Sequence, residues 1–452
     1  KYKTDNTGAV SKLEIAVPGS ADTYTVITDP EDIEERLLAR NITHFGQAKV
    51  TPFGDGPLCE LLGRTGTNKF ADAVLDGGPL PPDVDDHPGV RPLLRAMKRP
   101  PEITEFASTI TFEEYVSAFL KWRETTSTSP SGRHLGMYRS FLKSTIGITE
   151  TELMGSHLMQ HLLTLMNSTI AAEYTLLRWH VVHTTMLEKD PGRPRINRLR
   201  VIHLLEADYN LFLKVLYARR MVWNAEDASV LGQAQGGSRP GRNAIDIALQ
   251  KAVTYETAVV SKTNLATLDN DATGCYDRIL AGLAMIACRR LGMPIDACYV
   301  QAATLALMTF FLKTAHGIST GSYSSTFSFP IFGTGQGSCA SPAIWLAISI
   351  VLLNALQLVG RGVRFTSPTK KWDHSRHADS FVDDATLWTN DQSLPTPLTP
   401  AELIGDLRIL AQTWRDLLFA SGGDLELGKC FYYALYWYLS PIHIFEPTRP
   451  DE

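Results

Sequence analysis

At 452 residues, 44% hydrophobic and 20% charged, the chain has the composition of a globular protein long enough for two or three packed domains, which excludes a disordered or fibrous one. Its formal charge of −5 excludes bulk basicity as a sign of a polyanionic partner. Six cysteines (Cys59, Cys275, Cys288, Cys298, Cys339, Cys430) lie scattered without CxxC pairs. That argues against a disulfide or zinc framework and for reduced thiols in an intracellular protein, cytoplasmic or nuclear rather than secreted.

Residues 1 to about 110 are rich in Gly and Pro, and GDGPL, GGPLPPD and KRPPE mark turns and loops with no evident role. From Thr111, TFEEYVSAFLKW predicts a helix and TTSTSPSGRHLG a polar loop. A long, mostly helical stretch is expected after it, running through LLRWHVV at Leu176 to Val182. Between Lys189 and Arg242, ten Lys/Arg stand against five Asp/Glu, the local concentration that a polyanion-binding face needs. Helices are expected in ADYNLFLKVLYARRM and in RNAIDIALQKAVTYETA, where Ile245, Ala248, Leu249, Ala252 and Val253 share one face.

A strand, NLATLDN, begins at Asn264, and a helix is predicted from about Arg278 to Leu291, stopped by Gly292 and Pro294. After a Gly-rich loop at Gly333, the apolar run Ala343 to Val359 falls just short of the roughly 18 residues of a membrane span and carries Asn354 and Gln357, so it reads as a buried core helix. His374 and His377 in DHSRHAD read as a solvated loop, and Trp388 and Trp414 as core. Thr399-Pro400-Ala401-Glu402 offers a capping box for a last helix, with Leu403, Leu407, Leu410, Trp414 and Leu417 at helical spacing and Gly422-Gly423 at its end. The pattern is α+β with a small sheet. The tail LSPIHIFEPTRP, Leu439 to Pro450, reads as an adapter-derived, non-native translation to be set aside from fold reasoning.

Two acidic stretches carry the chemistry. FVDDATLW, Phe381 to Trp388, sets Asp383 beside Asp384 between strand-like flanks, although like charges repel and strands disfavour Asp. LATLDNDATGCYDRI places Asp269, Asp271 and Asp277 at the end of an apolar strand. Two such strand ends can converge on hard divalent cations, whose charge offsets the repulsion, and two ions can clamp the oxygens of a phosphoryl displacement. The loop FGTGQGSCASP spaces its glycines at 333, 335 and 337 and is followed by no Lys, so it is neither a dinucleotide fingerprint nor a phosphate loop. Its glycines would let backbone approach a flat or anionic ligand.

A basic segment, an acidic strand, a GQGS loop before a helix, an FVDD hairpin and then LELGKC resemble, in order and spacing, the reverse transcriptase domain of non-LTR (LINE-type) retrotransposons, over roughly residues 111 to 438. EKDPGRPRINRLRVIHLLEADYNLFLKVLYARR is similar to the family's fingers segment, and QGGSRPGRNAID to its template-side loop. The resemblance implies a right-hand palm-and-fingers fold with a small antiparallel palm sheet flanked by helices and the thumb largely missing. It divides the chain into an N-terminal extension (1–110), fingers (111–262), palm (263–438) and the non-native tail (439–452).

The implied activity is RNA-directed DNA polymerisation on an RNA template from a DNA primer and dNTPs, with two Mg²⁺ ions, or Mn²⁺ in their place, and no membrane. Asp271 becomes the first metal ligand, since the family places an aromatic five positions later and Tyr276 stands there, with Asp269 as fallback. Asp383 becomes the second, with Asp384 its partner. Lys189 and Arg200 match cations against the incoming triphosphate, Gln336 and Gly337 the loop bordering template and nucleotide, Lys429 the lysine that protonates pyrophosphate, and Arg239 and Arg242 the template contacts.

Gly335, Val201, Asn210 and Val382 depart from the family's usual Pro, Pro, Lys and Ala, and none removes a catalytic group. An RNA-directed RNA polymerase would share the acidic motifs, but a bulky Tyr276 argues against ribonucleotides. A decayed or domesticated, non-catalytic nucleic-acid-binding protein is argued against by Asp271, Asp383 and Lys429 standing together.

Overall fold

The computed structural model describes residues 10–19, 23–123, 129–142, 150–326, 328–367, 369–392, 394 and 396–437, with the backbone alone for 150–155. The tail, 439–452, and part of the TTSTSP loop lie outside the described residues. The architecture is mixed α+β, with two four-stranded and two two-stranded sheets among helices.

The first 110 residues hold more structure than their Gly and Pro content predicts. A hairpin, β1 (Leu13–Ala16) with β2 (Tyr24–Ile27), precedes helices α1 (Pro30–Phe45), α2 (Pro57–Leu62), α3 (Lys69–Asp76) and α4 (Val90–Ala96). The prolines and glycines bound these helices rather than break them. Pro30 and Pro57 sit in first turns, where a missing N–H costs nothing, and Gly77 (φ 72°) closes α3 in the left-handed conformation.

Helix α5 (Phe112–Leu120) starts on a capping box between Thr111 and Glu114, and α6 (Leu135–Ser140) and α7 (Glu150–Ala171) follow. The helical reading of Leu176 to Val182 holds only for a short 3-10 turn, Leu177–His180, and is corrected from Val181. The chain leaves α7 through Glu173 at positive φ, makes that turn and enters strand β3 (Val181–Glu188), whose alternating burial and β-branched VVHTT run suit a ladder better than a helix. Strand β4 (Leu199–Leu204) pairs antiparallel with β3, which pairs in parallel with β6 (Thr309–Thr314), itself antiparallel to β7 (Gly317–Ser324). This sheet joins strands from both sides of the expected 262/263 boundary.

Between them lie α8 (Ala207–Leu213), a π-helical stretch over 214–221, α9 (Val222–Asp227), α10 (Ala244–Ser261), strand β5 (Leu265–Asp271), α11 (Ala281–Arg290) and α12 (Ile295–Leu307). The helix expected from Arg278 starts at Ala281, because residues 272–280 turn. The apolar face of α10 looks outward, with Ile245 75%, Leu249 62% and Val253 55% exposed.

Helix α13 (Ser341–Val359) is long and apolar enough to cross a membrane, and 72% of its most apolar window is buried inside the protein. His374 lies on a short hairpin, β8 (Val363–Thr366) with β9 (Asp373–Arg376), where a loop was predicted. Strands β10 (Ala378–Phe381) and β11 (Asp384–Asn390), helix α14 (Pro400–Ala420) and strand β12 (Phe431–Leu435) complete the chain. The predicted capping box at Thr399 and Glu402 is present, Trp388 and Trp414 are buried, and all six cysteines are free. A large hydrophobic core draws on residues from Val10 to Cys430, and a smaller cluster gathers Ala258, Leu265, Val363 and Trp388.

The second four-stranded sheet, ordered β10-β11-β5-β12 and antiparallel throughout, carries the acidic motifs. Helix α14 packs on one of its faces, where the Trp414 indole donates to Asn270 at 3.0 Å. Side chains alternate along a strand, so Asp269 and Asp271 point to the other face.

Candidate active site

Asp384 is the direct cross-strand partner of Asp271, and Thr386 that of Asp269. Asp269, Asp271 and Asp384 line one cleft of about 490 Å³, with Lys251 and Lys429 on its walls. Asp383 sits one residue before β11, in the two-residue turn that joins it to β10. The structure therefore brings the two acidic motifs together.

The turn itself is held against its own preference. Val382 has φ 60°, a conformation that a β-branched residue resists. Such strain persists only where the surroundings over-determine it. Here the Trp345 indole donates to the Val382 carbonyl at 2.6 Å, and the Val382 N–H donates to Gln235 Oε1 at 3.2 Å. The Gln235 amide, 1% exposed, also donates to Ser349 Oγ and Ser380 Oγ at 2.9 and 3.1 Å. Backbone closes the clamp, since Gly236 N–H reaches Ser380 O at 2.9 Å and Ser380 N–H reaches Ala234 O at 2.6 Å. A Cβ on Gly237 would stand 2.5 Å from the Val382 nitrogen, so QGGS needs its second glycine for close approach.

Electrostatics separates the four carboxylates. Burial pushes the Asp383 carboxyl above its ordinary range, with Asp271 and Asp384 adding to the rise, and burial and then Asp271 do the same to Asp384. Lys429, exposed at the cleft edge, ion-pairs with Asp271, and that bond raises its own pKa. Asp269 is engaged elsewhere: Lys251 Nζ donates to both its oxygens at 2.5 and 2.7 Å, and Thr386 Oγ1 donates at 2.6 Å. Of the two candidate first ligands, Asp271 is the one beside the Asp383-Asp384 pair. Asp277 leaves the cluster altogether and is buried against His44 at 2.9 Å.

Tyr276, half-buried in the turn after β5, has its hydroxyl pushed up by burial and then by Cys275 and Asp383. Its carbonyl accepts the Thr334 N–H at 2.9 Å, so the Gly-rich loop lies against it. Gly333, Gly335 and Gly337 all have positive φ; a Cβ on Gly333 would sit 2.7 Å from the Tyr276 carbonyl oxygen, and one on Gly335 would run into the His203 ring. The Gln336 carbonyl accepts the His203 N–H at 2.6 Å, joining the loop to β4, and Asn210 holds the exposed Gly337 by donating to its carbonyl at 3.2 Å. Asn210 thus ties the loop to α8.

The basic segment is less of a face than its count predicts. Arg195, Arg198, Arg220 and Arg239 pair with Glu14, Asp190, Glu114 and Glu226. Arg239 is buried and spends its remaining donors on the carbonyls of Gly232 and Gln235, so it shapes the QGGS loop. Arg242 is exposed and bonds Gln233. Lys189 and Arg200 have no carboxylate partner among the described residues, and with Lys429 they form a cationic group. The Lys189 ammonium is lowered first by partial desolvation and then by Lys429 and Arg200.

Sequence reasoning did not single out Gln235, Trp345, Lys251 or His44. Only the paired glycines of QGGS signalled a close backbone approach. The donor set suits a hard divalent ion: Asp271 and Asp383 would supply oxygens, and a cation would stabilise the ionised forms of Asp383 and Asp384, which burial first and the neighbouring carboxylates second disfavour. Among the described residues no three His, Cys, Asp or Glu are grouped as a metal cage, and an ion held by two carboxylates would keep water or substrate oxygens in its shell. No protein-family model matches the chain, and no curated protein matches it.

Proposed function

We propose that the protein is an RNA-directed DNA polymerase that extends a DNA primer on an RNA template, with the β10-β11-β5-β12 sheet as its palm and the β3–β4 hairpin as part of its fingers. The observation that carries this reading is the pairing of Asp271 with Asp384 across two strands, with Asp383 presented on a clamped turn beside them. Around that cluster stand a half-buried tyrosine, a Gly-rich loop tied to it, and the cations Lys189, Arg200 and Lys429.

In the reaction, the primer 3′-hydroxyl loses its proton to solvent and its oxygen attacks the α-phosphorus of a dNTP, a P–O bond forms, and the bond to the α,β-bridging oxygen breaks, releasing pyrophosphate. Mg²⁺ held by Asp271 and Asp383 would lower the pKa of the 3′-hydroxyl and offset charge on the phosphates. Lys189 and Arg200 orient the triphosphate, and Lys429 supplies a proton to the departing pyrophosphate. Asp384 tunes the charge of the cluster from the cleft side. Tyr276 lies under the sugar, where a 2′-hydroxyl has no room.

Primer extension on an RNA template with Mg²⁺ tests the reading. Incorporation of dNTPs, absent in a folded Asp383→Asn variant, is the expected result. Preferred incorporation of rNTPs would instead make the protein an RNA polymerase, and binding without extension would make it a nucleic-acid-binding protein.

A further inference from the structure

Segment 30–50 precedes every motif discussed above, and the sequence offers no role for it. In the fold its end packs against Asp277 and Arg278, the two residues after Tyr276. His44, in the last turn of α1, has Nε2 2.9 Å from Oδ2 of Asp277, the next residue after Tyr276. Asp277 is 5% exposed, and its other carboxylate oxygen has no hydrogen-bond partner, so this bond satisfies a carboxylate that is otherwise costly to bury. Three residues on, the Gln47 side chain accepts from Arg278 at 3.4 Å, while the Arg278 Nε donates to the Gly422 carbonyl at 3.0 Å. The same end of α1 reaches the Gly-rich loop: the Phe45 carbonyl accepts the Phe332 N–H at 2.9 Å, and the Phe45 ring lies 5.2 Å from the His203 ring that underlies Gly335. Two further backbone bonds, Gly333 N–H to the Ile279 carbonyl and Thr334 N–H to the Tyr276 carbonyl, both 2.9 Å, close the loop onto the turn.

We propose that segment 30–50 is a specificity-setting brace for the nucleotide site, in which His44, through Asp277, is a positioning residue that fixes the depth of the Tyr276 ring. The inference rests on the reading of Tyr276 as the residue beneath the incoming sugar. The turn at 272–280 contains Gly274 at φ 55° and is not part of a helix or strand, so its placement depends on such contacts. Without the His44 bond, the buried Asp277 draws the turn toward solvent or another donor, and Tyr276 moves with it.

The test compares wild type, His44→Ala, His44→Gln and Gln47→Ala by steady-state kinetics with a matched dNTP and rNTP, alongside thermal melts. His44→Ala is expected to lower the dNTP-over-rNTP ratio of kcat/KM by roughly tenfold, the scale of one hydrogen bond to a charged group, mainly by raising kcat/KM for the rNTP. His44→Gln, whose amide nitrogen can donate where Nε2 does, should restore most of the ratio, and Gln47→Ala should move it in the same direction by less. A general loss of packing would lower melting temperature and kcat without changing the ratio. An unchanged ratio in His44→Ala, or, if that variant does not fold, in Gln47→Ala, overturns the brace. Asp383-dependent extension by wild type separates this failure from failure of the polymerase reading, which would remove the brace's function along with it.

Discussion

Asp384 stands directly opposite Asp271 in the β11–β5 ladder, two like charges at a position where cross-strand pairs ordinarily attract. Asp383, beside them on the turn, is raised by burial and by both neighbours. A carboxyl whose folded-state pKa lies above its unfolded value binds more protons in the folded state. Stability contributed by that proton is present at low pH and is lost as pH rises through the raised value. At neutral pH the cluster therefore costs stability, and Asp383→Asn should raise the melting temperature by about 1–3 °C while abolishing extension. The gain should vanish in melts below the ordinary carboxylate range. Added Mg²⁺ should raise the melting temperature of wild type and do so much less for the variant. A variant that melts lower than wild type at pH 7 in the absence of Mg²⁺ would show that the three carboxylates are not in conflict.

The Val382 conformation makes a second prediction, one residue from the chemistry. Gln235 satisfies both the Val382 N–H and two serine hydroxyls from a fully buried position. Gln235→Ala should destabilise the protein by about 1–3 kcal/mol, since the partners it leaves are desolvated. Its effect on kcat should exceed that of a surface variant of equal stability cost, because Asp383 is carried on the freed turn. Chemical denaturation and single-turnover extension on the same preparation check both parts. Equal loss of kcat in a distant core variant of matched stability would assign Gln235 to packing alone.

Acidic strands, the terminal capping box, the buried apolar helix and the two core tryptophans were legible in the sequence because each is a local pattern with one physical meaning. The pairing of Asp271 with Asp384 was legible only as a convergence of two strand ends, since register depends on partners 113 positions apart in the chain. Charge misled where pairing is long-range: Arg220 and Arg239 count as basic in a window, yet Glu114 lies far outside it and Glu226 closes a loop within it. Periodicity likewise marked α10 as helical but not which way it faces, because Ile245, Leu249 and Val253 point outward while Lys251 turns inward to Asp269. Strand β3 has one partner close in sequence, β4, but its other neighbour, β6, comes 121 residues after Glu188, so the sheet it belongs to left no local mark. His44 and Trp345 carry no local signal at all; they matter through what the fold sets beside them.

Those pairings also sharpen the salt dependence of template binding. Neutralised phosphates release counterions, so affinity should fall with salt, by a slope of about 0.7–0.9 per phosphate contact. Arg242 remains available to contribute, whereas Arg239 is consumed by Glu226 and two carbonyls. Arg242→Gln should flatten the slope by about 1, and Lys189→Gln, placed against the triphosphate, should leave it unchanged. Arg239→Gln should leave the slope unchanged and lower the melting temperature. Fluorescence anisotropy with a primer–template across a salt series measures this, and a flattened slope in Arg239→Gln with an intact melt would return that residue to the template surface.

The last prediction concerns Tyr276 itself. Its ring is half-buried, its carbonyl is tied to Thr334 of the Gly-rich loop, and its hydroxyl is raised by burial, by Cys275 and by Asp383, so it stays neutral and close to the carboxylates at any working pH. A neutral ring in that position acts by shape. If the sugar of the incoming nucleotide rests on it, discrimination against ribonucleotides comes from a clash in the wrong complex rather than a contact in the right one. Tyr276→Ala should then raise rNTP incorporation by one to two orders of magnitude, roughly the effect of misfit at a reacting centre, and change dNTP kcat/KM much less. Tyr276→Phe should keep the wild-type ratio, because the hydroxyl has no part in the clash. Steady-state kcat/KM for a matched dNTP and rNTP on all three proteins decides it. A ratio unchanged in Tyr276→Ala would make the tyrosine a core residue, and a ratio lost in Tyr276→Phe would move the selectivity from the ring to its hydroxyl.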